Sequence, residues 1–164
     1  MRTTNIICIA AALLAFVAAP AGAADKIERG AYLAAIMDCT GCHTPGALRG
    51  QPDMDRYLAG ADVGFMIPGA GTFYAPNLTG DAETGLGKWS VDEIVAAIRS
   101  GVRPDGSTLV PVMPFPSYAT LNDADAEALA TYIKSLAPIT NKVPGPFGPD
   151  QTPGAPYLQP VVPK

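Results

Sequence analysis

The stretch that decides this fold reads Cys39-Thr40-Gly41-Cys42-His43, a C-x-x-C-H run. This pattern is typical of the attachment site of a c-type haem, because two thiols three positions apart on a helical turn can each add to one of two neighbouring vinyl groups on a porphyrin edge. The next residue, His43, then lies under the iron. It is the only histidine of the chain, so a sixth ligand to the iron must be another kind of group.

Three other interpretations apply to the same five residues. A zinc site needs four ligands from Cys, His, Asp or Glu, and the only other cysteine, Cys8, lies in a segment that we expect to be removed. A thioredoxin-like dithiol follows a strand in a βαβ unit, whereas the residues before Cys39 have a helical pattern. The third interpretation is a chance occurrence. The haem interpretation accounts best for the spacing and for the adjacent histidine.

Residues 1–24 have the pattern of a secretory signal peptide, with a charged start at Arg2, an apolar run over 6–19 and small residues around the cleavage site. The run is too short to favour a retained membrane span, and Cys8 follows a bulky residue, which does not favour a lipoprotein. Because thioether attachment of haem takes place outside the cytoplasm of bacteria, we expect a periplasmic mature protein without a membrane span.

The composition limits the kinds of partner. The chain has 15 acidic and 11 basic side chains and a formal net charge of −4, which argues against nucleic acid as a partner. The acidic excess fits docking to a basic patch, or it is simply a solvated surface. Seventeen prolines and 17 glycines predict a loop-rich fold, which a small chain tolerates when a haem contributes to its core.

The first of three main helices is expected over residues 25–38, running directly into Cys39, because small and apolar residues recur at three- and four-residue steps. Gly30 is costly inside a helix. It therefore predicts a close crossing with another helix, the alternative being an incidental glycine near a helix start.

Two further helices have clear start and stop signals. Ser90 and Glu93 form a capping box at the start of the second, and Gly101 ends it. The third is expected over 123–136 after the cap Asn122. The pattern as a whole predicts an all-α fold in which three main helices and long loops wrap around one covalently bound haem.

The remaining stretches lack periodicity. Residues 44–88 carry many glycines and prolines, and we expect little secondary structure there. Residues 141–164 read as an extended, proline-rich tail after a single domain over 25–140. We interpret this tail as a docking segment, the alternative being a disordered linker remnant.

With histidine excluded, the sixth ligand must be methionine, lysine, a terminal amine or water. Of the five methionines, Met1 leaves with the signal peptide and Met37 lies too close to the haem motif on the same helix. Met113 lies in a loop with prolines on both sides, whose stiff backbone can hold a thioether in place, and we expect it to be the ligand. For Met54 and Met66 we expect ordinary packing.

This layout resembles that of class I c-type cytochromes, with a helix into C-T-G-C-H, a late Met-Pro in a loop and a closing helix with L-A-T-Y-I-K-S-L. The chain resembles more closely one haem domain of the cytochrome c subunits of bacterial alcohol, aldehyde and gluconate-type dehydrogenases. Four stretches carry that likeness: G-T-F-Y-A-P-N-L-T at 71–79, E-T-G-L-G-K-W-S at 83–90, R-S-G-V-R-P-D-G at 99–106 and P-V-M-P-F-P-S-Y at 111–118. Those subunits usually carry three such domains, whereas this chain carries one.

The resemblance, which covers about residues 26–143, implies a set of roles for the haem site. Thioethers form at Cys39 and Cys42, and the iron is ligated by His43 and Met113, with Pro114 beside the methionine.

The resemblance also implies which side chains surround the haem. The loop residues Tyr74, Asn77 and Leu78 line the haem edge together with Trp89, which donates to a propionate unless it is plain core. The first helix is implied to cross the last where Gly30 meets Tyr132.

These features predict a periplasmic monohaem electron carrier between a dehydrogenase and the respiratory chain, with a terminal oxidase or another cytochrome as further redox partners. Methionine ligation raises the potential and leaves no open position on the iron, so catalysis is not expected. The alternative is a five-coordinate haem enzyme or gas-binding sensor. A third possibility is a fixed subunit of a larger complex.

Overall fold

The computed structural model describes residues 21–161 and Pro163. Its α-helices and strands are, in order, α1 (Ala21–Ile36), α2 (Cys39–His43), β1 (Gly64–Ile67), β2 (Gly71–Phe73), α3 (Val91–Ser100), α4 (Phe115–Tyr118), α5 (Asp123–Ser135) and β3 (Tyr157–Leu158). The all-α expectation agrees broadly with these five helices but did not include the sheet. None of the helices in the described part of the chain is long and apolar enough to cross a membrane.

The first helix differs from its prediction at the haem motif. It ends at Ile36 rather than running into Cys39, and the motif forms its own five-residue helix, α2. The break is at Asp38, whose backbone is left-handed at φ 53° and ψ 42°, a conformation that aspartate tolerates better than most residues. The apolar run at 6–19 of the expected signal peptide lies outside the described residues.

The predicted close crossing at Gly30 is confirmed. A Cβ atom placed on Gly30 would lie 2.2 Å from the carbonyl oxygen of Ala128 and 2.5 Å from Cβ of Tyr132. The backbone of α1 therefore packs directly on α5. Two exposed ion pairs, Lys26 with Glu127 and Arg29 with Asp125, border this crossing.

The capping signals of α3 and α5 are confirmed. The Ser90 hydroxyl accepts from the Glu93 amide at 3.2 Å, and the Glu93 carboxylate accepts from the Ser90 amide at 2.7 Å. Helix α3 ends at Gly101 with φ 69°, and α5 begins after Asn122. Together with α1 these helices enclose the core, whose buried members are Leu33, Ala34, Cys39, Leu58, Ile94, Ile98, Leu129, Ala130 and Ile133.

Strands β1 and β2 lie in residues 44–88, where we expected little secondary structure, and β3 lies in the expected extended tail. Strands β1 and β2 form an antiparallel hairpin in which Phe65 pairs with Phe73, and β3 pairs with β1 in parallel. The glycines and prolines that suggested a structureless loop include Pro68 and Gly69, which lie in the hairpin turn. Strands of two to four residues are too short to produce a readable alternation.

The C-terminal segment, residues 137–161, is extended and lies along its own domain. The amide of Phe147 donates to the carbonyl of Thr72 at 3.0 Å, and the amide of Thr72 donates back at 2.9 Å. The Gly64 amide donates to the Pro156 carbonyl at 2.9 Å. The division into a domain and a tail stays a prediction, but these bonds attach the segment to the hairpin edge.

One acidic side chain joins the C-terminal segment to the loop before α3. The carboxylate of Asp81 accepts from the hydroxyl of Thr84 at 2.8 Å, from the amide of Thr84 at 2.6 Å and from the hydroxyl of Thr140 at 2.8 Å. These hydrogen bonds favour the charged form and hold the pKa of Asp81 at about 2, below the ordinary value of 3.8.

This lowered pKa predicts a pH dependence of stability. Because the carboxyl titrates lower in the folded chain than in the unfolded chain, its contribution is complete above pH 3.8 and disappears as the pH falls towards 2. We expect Asp81→Asn to reduce the dependence of the thermal midpoint on pH within this window. Substitution of the exposed Asp150 by asparagine should leave this pH dependence unchanged. The assignment would be contradicted if the thermal midpoint of Asp81→Asn changed with pH as steeply as that of the wild type.

Candidate functional site

The two thiols of the C-x-x-C-H run lie on α2. Cys39 and Cys42 are free cysteines, the first buried and the second half-buried. Positions three apart in a helix lie on the same side, so the short helix presents both sulfur atoms in one direction. This is the arrangement that attachment to two neighbouring vinyl groups requires.

Helix α2 is held by a cap that the sequence analysis missed. The carboxylate of Asp38 accepts from the amide of Gly41 at 3.1 Å. A Cβ atom on Gly41 would lie 2.3 Å from Oδ2 of Asp38, so any other residue at position 41 would require the carboxylate to move. The sequence did contain a signal for this cap, namely an aspartate directly before the motif and a glycine inside it.

The environment of the thiols keeps them uncharged. Burial raises the pKa of Cys39 to about 11, and the negative charge of Asp38 adds to the effect. The pKa of Cys42 is raised by the same two causes. Within the described part of the chain, no group of three or more His, Cys, Asp or Glu side chains lies together, so the zinc interpretation gains no support.

His43 is buried and oriented by a backbone carbonyl. Its Nδ1 atom lies 2.8 Å from the carbonyl oxygen of Pro76. Because a carbonyl only accepts, Nδ1 carries the proton and Nε2 keeps the lone pair that binds a metal. Burial lowers the pKa of His43, and the bond to Pro76 opposes part of this effect. The role of Pro76 was missed, because a backbone acceptor carries no mark in the sequence.

Met113 lies half-buried in a turn before α4. Its amide donates to Val110 at 3.1 Å, and its carbonyl accepts from Phe115 at 2.8 Å. Pro114 is exposed and caps α4. The Phe115 ring lies on Gly101, where a Cβ atom would approach it to 2.9 Å. The methionine loop, residues 111–116, therefore packs against the end of α3 through Phe115.

A second contact attaches the methionine loop to the haem motif. The hydroxyl of Tyr118, in α4, donates to the carbonyl of Met37 at 3.1 Å. Met37 lies between α1 and Cys39 in the chain. Helix α4 is therefore tied to the backbone that leads into the two thiols.

The other predicted site residues fall into two groups. Leu78 and Trp89 are half-buried and pack against the core cluster that contains Cys39. This location agrees with both interpretations of Trp89, as haem edge and as plain core.

Tyr74 and Asn77 instead use their polar atoms within the protein. The Tyr74 hydroxyl donates to the Ala155 carbonyl at 2.9 Å. The Asn77 amide group donates to the Ile139 carbonyl at 2.7 Å and accepts from the Thr79 amide at 2.9 Å. The roles of Tyr74 and Asn77 at the haem edge stay predictions.

These residues fit a covalent haem c. Two neutral thiols share one side of a helix, and a buried imidazole next to them has its metal-binding nitrogen available. Large apolar side chains that are only half-buried surround the same core cluster: Met37, Tyr57, Leu78, Leu86, Trp89, Tyr118 and Leu121. Cys39 and Cys42 would hold the group, and His43 would ligate its iron.

Comparison with known proteins gives consistent matches. The sequence model of the family described as Cytochrome c matches residues 27–137. The cytochrome c subunit of alcohol dehydrogenase (quinone) from Gluconobacter oxydans (strain 621H) is 40% identical over 136 residues, 80% of this chain and 27% of that protein. The gluconate 2-dehydrogenase cytochrome c subunit from Pantoea cypripedii is 40% identical over 114 residues, 69% of this chain and 24% of that protein. The fructose dehydrogenase cytochrome subunit from Gluconobacter japonicus is 39% identical over 109 residues, 66% of this chain and 21% of that protein. The chain thus spans about a quarter of the length of these relatives.

Proposed function

This chain belongs to the cytochrome c family, and from that premise we propose that it holds a single haem c and passes one electron at a time in the periplasm. The observation that supports this best is the α2 helix, which combines two thiols on one side with a histidine whose Nδ1 is bound to Pro76. The proposal includes a dehydrogenase as electron donor and the respiratory chain as acceptor.

When bound, the haem supplies a one-electron couple between ferric and ferrous iron. Cys39 and Cys42 hold it covalently, so it is not lost between partners. His43 offers Nε2 to the iron, and Pro76 fixes the direction of the ring. Met113 would supply a soft thioether to the iron, which would favour the ferrous state and raise the potential. With His43 and Met113 as its ligands, the iron would have no open site for a substrate.

The proposed redox partners are based on the names of the similar proteins. Those proteins are named as cytochrome subunits of alcohol, gluconate and fructose dehydrogenases, which supports a dehydrogenase as donor. The net charge of −4 fits docking to a basic patch on such an enzyme. A terminal oxidase or a second cytochrome is the acceptor that we propose.

The test begins with covalent attachment. Expressed in a bacterium that matures c-type haems, the purified protein should keep one haem after denaturation and acid extraction, as measured by mass. The double substitution Cys39→Ala with Cys42→Ala should release it, whereas Cys8→Ala should not. Haem that can be extracted from the wild type would contradict the proposal.

Two further measurements separate the alternatives. The reduced protein should keep its spectrum under carbon monoxide, because Met113 blocks the iron; a rapid change would favour the five-coordinate enzyme or gas sensor. Copurification with a dehydrogenase from the native periplasm would identify a fixed subunit rather than a free carrier.

A further inference from the structure

The C-terminal segment contacts side chains on both sides of Pro76, the residue whose carbonyl orients His43. On the later side, the carbonyl of Ile139 accepts from the side chain of Asn77, which directly follows Pro76. Asn77 is 1% exposed, and its amide also donates to the hydroxyl of Thr84 at 3.1 Å. The side chain that follows Pro76 is therefore held by one hydrogen bond to the segment and by one to Thr84.

On the earlier side, the segment holds Tyr74. The tyrosine hydroxyl donates to Ala155 at 2.9 Å, and its ring meets that of Phe147 edge-on at 6.1 Å between centroids. Phe147 also exchanges two backbone hydrogen bonds with Thr72. The segment thus holds residues 72–74, which end two positions before Pro76, whose carbonyl accepts the hydrogen bond from the imidazole.

A third contact links the segment to the backbone of His43 itself. The amide of Gly60 donates to the carbonyl of His43 at 2.7 Å. A Cβ atom on Gly60 would lie 2.4 Å from Cγ1 of Val143 and 3.0 Å from the amide nitrogen of Asn77. Val143 therefore packs directly on the peptide that holds His43, next to the loop that carries Pro76.

We propose that the C-terminal segment is a positioning element for His43, which keeps the Pro76 carbonyl at hydrogen-bond distance and so sets the strength of the imidazole as an iron ligand. This inference rests on the proposed function, in which His43 ligates the iron. A histidine that donates its second N–H to a well-placed acceptor is a more basic ligand. A more basic ligand stabilises ferric iron, so a looser Pro76 carbonyl should raise the reduction potential.

The test uses the haem-loaded protein and two substitutions that reach the loop from different sides. Tyr74→Phe removes the hydrogen bond to Ala155, and Val143→Ala removes the contact on Gly60. For both we expect a midpoint potential shifted to more positive values and faster hydrogen exchange of the His43 Nδ1 proton in the reduced protein, followed by NMR. Val161→Ala, at an exposed position of the same segment, and Tyr32→Phe, at an exposed tyrosine of α1, are the controls and should keep wild-type values.

The outcomes distinguish positioning from ordinary stabilisation. A lower thermal midpoint with wild-type potential and exchange in both test variants would show that the segment serves stability alone. Equal shifts in the controls, or loss of haem from both test variants, would also overturn the inference. If Met113→Ala behaves as the proposed ligation requires while these variants do not shift the potential, the proposed function stands and only the positioning role fails.

Discussion

Replacing Met113 by alanine should abolish the weak sulfur-to-iron absorption band of the oxidised protein near the red end of the spectrum. It should also lower the reduction potential, because the thioether that favours ferrous iron is gone. The reduced variant should bind carbon monoxide at the position that Met113 leaves open. The protein should stay folded, since the turn around Met113 is held by the backbone hydrogen bonds of Val110 and Phe115.

Met66 is the matched control for this prediction. It is also half-buried, but it lies in β1, where its backbone pairs with Thr72 in β2. We expect Met66→Ala to keep the absorption band and the potential. A Met113→Ala protein that keeps the band, or a Met66→Ala protein that loses it, would show that the ligand has been assigned to the wrong methionine.

The second large effect is expected at Gly30. In Gly30→Ala the new methyl group would lie 2.2 Å from the carbonyl oxygen of Ala128 and 2.5 Å from Cβ of Tyr132. Neither atom is the end of a flexible side chain, so α1 and α5 must move apart. Overpacking of this kind typically lowers the free energy of unfolding by about 1–3 kcal/mol. We expect the steric cost at Gly30 to be about 3 kcal/mol. The better helix propensity of alanine offsets only about 1 kcal/mol of this cost.

Thermal and denaturant unfolding of the haem-loaded protein measure this loss. A leucine at position 30 should cost more than an alanine, because it must also place a branched side chain between the helices. Gly154→Ala is the control, since no atom lies within 4 Å of a Cβ there, and its effect should stay within about 0.5 kcal/mol. An unchanged midpoint for Gly30→Ala would mean that the two helices do not cross at this glycine.

The local chemistry of the sequence was enough to predict the haem motif and most of the helical framework. Cys39, Cys42 and His43 are adjacent in the chain, so their spacing alone indicates what they can bind. The capping box at Ser90 and the stop at Gly101 are likewise short-range signals, and both are confirmed. Gly30 was predictable because a glycine inside a helix needs a reason, and the reason is a backbone contact with α5.

Only the tertiary structure decided how the motif is held. His43 and Pro76 are 33 positions apart, and the acceptor is a backbone carbonyl, which every residue has. The same is true of Thr72 and Phe147, whose paired backbones attach the C-terminal segment to a hairpin too short to show a pattern. Backbone groups of distant residues are identical in the sequence and become distinct only when the chain folds. For this reason the sequence alone predicted which residues could bind a haem, whereas only the fold determined which backbone groups contact those residues.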